Sequence, residues 1–114
     1  MSDESWWGVW GQVWFDGGMR SLADAMTSAG LKVNCGRYAI RIEGCSHFVL
    51  TSGGDPEECN LFDVDADADT EAKMVEDTCR VSNGLRAAKI RHEFDIYKHG
   101  ADETVKTFAY GGKE

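Results

Sequence analysis

The first segment of the chain divides with period two into two faces, each carrying large apolar residues. From Trp6 to Phe15, Trp7, Val9, Val13 and Phe15 share one face, with Gly11 between them, while Trp6, Trp10 and Trp14 share the other. Trp7, Trp10 and Trp14 also recur at helical spacing, but the two glycines weaken a helix and the aromatic and β-branched content favours a strand. Asp16-Gly17-Gly18 breaks the pattern and can cap a helix that begins after it. Met19, Leu22, Ala23, Met26 and Ala29 then recur at the spacing of an amphipathic helix, with Gly30 placed for a left-handed C-cap. Arg37 to Glu43 and His47 to Thr51 read as two strands joined through Gly44-Cys45-Ser46, short enough for a hairpin. Ser52 to Pro56 is a loop, and Pro56 can open one turn of helix through Glu58.

In the second half, Phe62, Val64, Ala66 and Ala68 alternate with Asp63, Asp65, Asp67 and Asp69. This segment, Leu61 to Asp69, predicts a short edge strand whose outward acids discourage edge pairing. A second helix starts from Thr70, with Ala72, Val75, Cys79 and Ser82 along one stripe, and Asn83-Gly84 as its stop. Ala88, Ile90, His92, Phe94 and Ile96 alternate with Lys89, Arg91, Glu93, Asp95 and Tyr97, a strand with one apolar face. A turn from His99 leads to a last strand over Thr104 to Tyr110. The order predicts an α+β fold, the ferredoxin-like β-α-β-β-α-β arrangement with an extra C-terminal strand. Two helices would cover one face of a mostly antiparallel sheet, leaving the other for water, a partner or a ligand. Neither an internal repeat nor a linker divides residues 1–114, so a single domain is expected.

Composition adds one large fact. The 114 residues carry 12 Lys and Arg against 20 Asp and Glu, for a net charge of −8. Residues 55–77 hold ten acids against Lys73 alone, so this one segment accounts for the whole excess. A block of that kind repels phosphate, which argues against direct nucleic-acid binding, and it attracts cations or basic protein surfaces. Hydrophobic residues make up 42% of the chain, enough for a packed core and too many for a disordered segment. No apolar run approaches the ~18–20 residues that span a bilayer, and residues 1–5 are acidic where a signal peptide is basic. The expectation is a cytoplasmic protein without membrane contact.

The candidate chemistry is sparse. Counted from Asp65, the acids Asp67, Asp69 and Glu76 fall at positions 3, 5 and 12, so the segment resembles an EF-hand loop over twelve residues. Thr70 stands where that loop needs glycine, and no helix enters it. Helix capping explains the same acids, and no metal or cofactor is expected, calcium held by Asp65, Asp67, Asp69 and Glu76 being the alternative. Cys35, Cys45, Cys59 and Cys79 form no CxxC pair and read as free thiols. His92 alternates with Ile90 and Phe94 onto the apolar face, a structural position. No GxSxG elbow, HExxH helix or P-loop is present, and no nucleophile–base pair stands out, so no catalytic residue is assigned.

Two functional readings remain. In the first, a non-enzymatic protein docks its acidic segment on a basic partner, in the sharpest version imitating nucleic-acid charge to inhibit a nucleic-acid-binding protein. Asp63, Asp65, Asp67, Asp69, Glu71 and Glu76 would carry that contact. In the second, two copies bury their open sheet faces around an apolar pocket lined by Trp10, Trp14, His92 and Phe94, suited to a small hydrophobic ligand or a cofactor-free reaction.

Overall fold

The computed structural model describes residues 6–45, 47–52, 60–101 and 103–111. The chain runs β1 (Trp7–Trp14), α1 (Gly18–Ser28), β2 (Val33–Cys35), β3 (Ala39–Ile42), β4 (Val49–Ser52), β5 (Leu61–Ala68), α2 (Glu71–Ala87), β6 (Arg91–Lys98) and β7 (Thr104–Tyr110). All seven strands form one sheet in the order β2-β3-β4-β5-β1-β6-β7, and every neighbouring pair is antiparallel. The helical turn expected over Pro56 to Glu58 lies outside the described residues, as do Ser46 and Cys59.

Period-two alternation decides which side of the sheet is core. On β1, Val9 and Val13 are fully buried. They sit in register with Ala66 and Phe62 of β5 on one side and with Ile96 and His92 of β6 on the other. Leu50 and Ile40 continue the same layer across β4 and β3. Met19, Leu22, Ala23 and Met26 of α1, and Met74, Val81 and Leu85 of α2, close over this face to complete one core.

Four expectations need correction. The strand order is not that of a ferredoxin-like sheet. What holds is the coarser statement, an α+β fold with a seven-stranded antiparallel sheet and two helices. β5 is not an edge strand but lies between β4 and β1. Its four apolar residues are needed under the helices, and its acids face outward from mid-sheet. β2 carries only three residues and no alternation to reveal it, yet it pairs with β3 and forms one edge.

The fourth correction concerns α2, which runs through Asn83-Gly84 to Ala87. Gly84 is buried inside the helix because a Cβ there would come within 2.7 Å of Leu31 Cγ and Cδ1. The helix ends later, where Lys89 takes φ +61 and the Lys89 and Ile90 amides donate to the Arg86 and Leu85 carbonyls. The buried stripe also differs from the expected one. It runs through Met74, Asp77, Thr78, Val81 and Leu85, whereas Ala72 is exposed and Val75 half-buried. Polar residues on the buried side hide this face from a hydrophobic pattern. Asp77 is completely buried, with Lys73 Nζ 3.2 Å away at the rim.

Candidate site on the open sheet face

The uncovered side of the sheet is built from the alternate residues of the same strands. Trp6, just before β1, and Gly8, Trp10, Gln12 and Trp14 within it succeed one another on this side, as the sequence pattern predicts. The registers place β5 and β6 on either side. Trp10 stands opposite Asp65 and Asp95, Gln12 opposite Asp63 and Glu93, and Gly8 opposite Asp67 and Tyr97. Neighbouring strands lie about 4.8 Å apart, and alternate residues along a strand about 6.8 Å apart. Two rows of carboxylates about 10 Å apart therefore run along the central strand, with aromatic side chains between them.

Trp10 is 60% exposed, a large apolar side chain at the middle of a polar face. Asp95 accepts a hydrogen bond from Thr107 Oγ1 at 2.7 Å. Among the described residues, no cation pairs with Asp63, Asp65, Glu93 or Asp95. Asp67 is the exception, with His47 Nδ1 2.6 Å from its carboxylate. At one end of the face the Trp6 ring stacks on His99 at 4.5 Å and meets Tyr97 edge-on at 6.1 Å. Tyr97 leans over Gly8, where a Cβ would come within 2.6 Å of its hydroxyl. Burial pushes the Tyr97 hydroxyl pKa up, and Asp65 and Asp67 push it further. At the other end the Arg91 guanidinium lies 4.2 Å from the centre of the Trp14 ring. Beyond Trp14, an open depression is lined by Phe15, Asp16, Asn60 and Leu61.

Comparison with family models, curated proteins and solved structures gave no match. Function must therefore be inferred from this chain's own residues.

Of the six acids expected to act together, the structure brings three onto one face. Asp63, Asp65 and Asp67 share the open face, and Asp69 lies in the bend between β5 and α2. Glu71 and Glu76 belong to α2 in the helix layer, where Glu76 Oε2 is 3.8 Å from Arg80 one turn away. The calcium alternative loses its geometry for the same reason. Asp65 and Asp67 are held in extended strand, and Glu76 is carried off on the far side. Among the described residues, no three His, Cys, Asp or Glu side chains converge as metal ligands. Glu93 and Asp95 take the places of the helix acids. Their alternation is visible in the sequence, but nothing local shows that β6 pairs with β1.

The four residues expected to line a pocket or dimer face are divided between the two sides of the sheet. Trp10 and Trp14 are on the open face, whereas His92 and Phe94 are 1% and 0% exposed beneath the helices. His92 makes two buried hydrogen bonds. Its Nδ1 is 2.9 Å from the Ile90 carbonyl, to which it donates, leaving Nε2 to accept from Ser82 Oγ at 2.7 Å. This serine–histidine contact is sealed in the core, away from solvent.

Burial lowers the pKa of His92, the Ile90 carbonyl opposes that shift, and Arg86 adds to it. The folded state therefore holds the ring neutral at a pH where the unfolded chain already protonates it. The stabilisation is complete above the unfolded value of about 6.5 and is lost as the pH falls below it. Urea unfolding at about pH 7.5 and pH 5 should show the midpoint dropping, and His92→Gln should flatten the part of that drop due to this ring. An equal drop in both proteins would place the titration elsewhere.

Proposed function

We propose that this protein is a non-enzymatic binding protein whose open sheet face docks on a basic surface of another protein. The observation that carries this reading is Trp10, exposed between Asp65 and Asp95, with the carboxylates of Asp63 and Glu93 alongside and, among the described residues, no cation paired to any of the four. The two rows of like charge, held about 10 Å apart on either side of β1, repel one another, a cost that a cationic partner would reverse. The rows present regularly spaced anions on a rigid support, as a polynucleotide backbone does. In its sharpest form the proposal is inhibition of a nucleic-acid-binding partner by occupying its Lys and Arg side chains. A second copy is the poorer occupant, because isologous pairing would set this acidic face against itself.

The test is binding of a fluorescein-labelled lysine-rich peptide, monitored by anisotropy across a range of salt. The variant D63N/D65N/E93Q/D95N should weaken binding by more than ~10-fold and flatten the salt dependence. E71Q/E76Q, which removes helix-layer acids, should leave the affinity within about twofold, in keeping with the small worth of exposed charges away from a contact. Equal losses in the two variants would mean that net charge alone drives association, and the proposal would fall.

A further inference from the structure

The open face carries Trp6, Trp10 and Trp14, and among the described residues only Trp14 has an Arg or Lys over its ring. Trp14 sits in register with Arg91, and the guanidinium lies against its ring at 4.2 Å. Trp10, two repeats of the pattern earlier on the same face of the same strand, has Asp65 and Asp95 as its two register partners. Several other aromatic rings are also matched within the chain: Arg86 with Tyr110, Lys98 with Trp7, Lys106 with Phe108, and Arg37 with Tyr38. Among the described residues no basic side chain lies over Trp10, the most exposed tryptophan of the face.

Building on the proposed docking to a basic protein, we propose that Trp10, Asp65 and Asp95 together select an arginine side chain of the partner, in preference to lysine. Shape and charge both favour this choice. A guanidinium is planar and weakly hydrated, so it can stack on the indole face while its edge N–H groups still point outward. Those groups would donate toward the carboxylates that stand one strand away on either side, a pairing suited to the forked donor geometry of arginine. A lysine ammonium is compact and strongly hydrated. It gains from the same negative charge but cannot stack and bridge together. Asp63 and Glu93 would then supply the general attraction, and Trp10 the discrimination.

Two labelled Gly-Ser peptides carrying either arginine or lysine at the same positions provide the test, titrated against the whole protein at low salt. The native protein should bind the arginine peptide about fivefold or more tightly than the lysine peptide, a ratio within the range of an exposed cation–π contact. Trp10→Ala should bring the two affinities to within about twofold while largely sparing that for lysine, and Trp10→Phe should restore part of the preference. D65N/D95N should weaken both peptides. Equal affinities in the native protein, or a preference that survives Trp10→Ala, would overturn the arginine assignment and leave basic-partner binding standing. Failure of the native protein to bind either peptide would overturn both.

Discussion

Gly11→Ala is expected to destabilise the protein by about 3 kcal/mol or more, enough to lower Tm by roughly 10 °C or to prevent folding. Gly11 lies at the centre of β1, and its register partner on β6 is Phe94. A Cβ at this position would come within 2.1 Å of the Glu93 carbonyl oxygen, 2.9 Å of Phe94 Cα and 3.0 Å of Phe94 Cδ1. Two of those three atoms are backbone, so no rotamer change can make room. Relief would require the β1–β6 pair to separate, at the cost of ladder hydrogen bonds in the middle of the sheet. Thermal unfolding monitored by circular dichroism gives the answer directly. A Tm within about 2 °C of the native protein would show that β1 and β6 leave room for a methyl group between them.

Phe94→Ala should cost about 3–5 kcal/mol, the range for emptying a large buried aromatic site. The ring is fully buried, packs edge-on against Phe48 at 5.9 Å and lies 5.0 Å from His92. It also occupies the space that Gly11 leaves open, so no side chain at that position of β1 could relax into the cavity. Against a total stability of about 5–15 kcal/mol, this loss would leave little margin. The contrast with Trp10→Ala is informative, because Trp10 is the larger residue and sits on the adjacent strand. Being 60% exposed, it should change stability by no more than about 1 kcal/mol. Urea titrations of the two variants side by side would separate a core residue from a surface one. A similar loss in both would mean that the open face is not open.

The period-two pattern makes the strands readable, and it correctly sets Trp6, Trp10 and Trp14 on the side opposite Val9 and Val13. It also marks β5 as a strand with acids on one face and apolar residues on the other. What it does not supply is adjacency. The acids of β5 read equally well as edge protection or as part of a mid-sheet surface, and only the pairing with β1 decides between them. The same gap joins Asp65 to Glu76, which are near in sequence, and misses Glu93 and Asp95, which are distant in sequence but lie beside Trp10 in space. His92 and Phe94 fall into the expected pocket because a sequence gives each strand two faces without matching them between strands. Asn83-Gly84 fails as a stop for a different reason. A glycine inside a helix and a glycine ending one look alike until the packing partner, here Leu31, is known.

The alternation along β1, β5 and β6 also separates two kinds of inheritance. Substitutions at Val9, Gly11, Val13 or Phe94 are felt by the whole fold, so selection for folding will hold them. Substitutions at Trp10, Gln12, Asp63, Asp65, Glu93 or Asp95 project from the same strands away from the helices and leave the buried layer as it was. Such a sheet can acquire a new partner by rewriting one side, residue by residue, without passing through an unfolded ancestor. If a partner changes quickly, the open face is where this lineage will record it, while the helix-covered face stays nearly fixed.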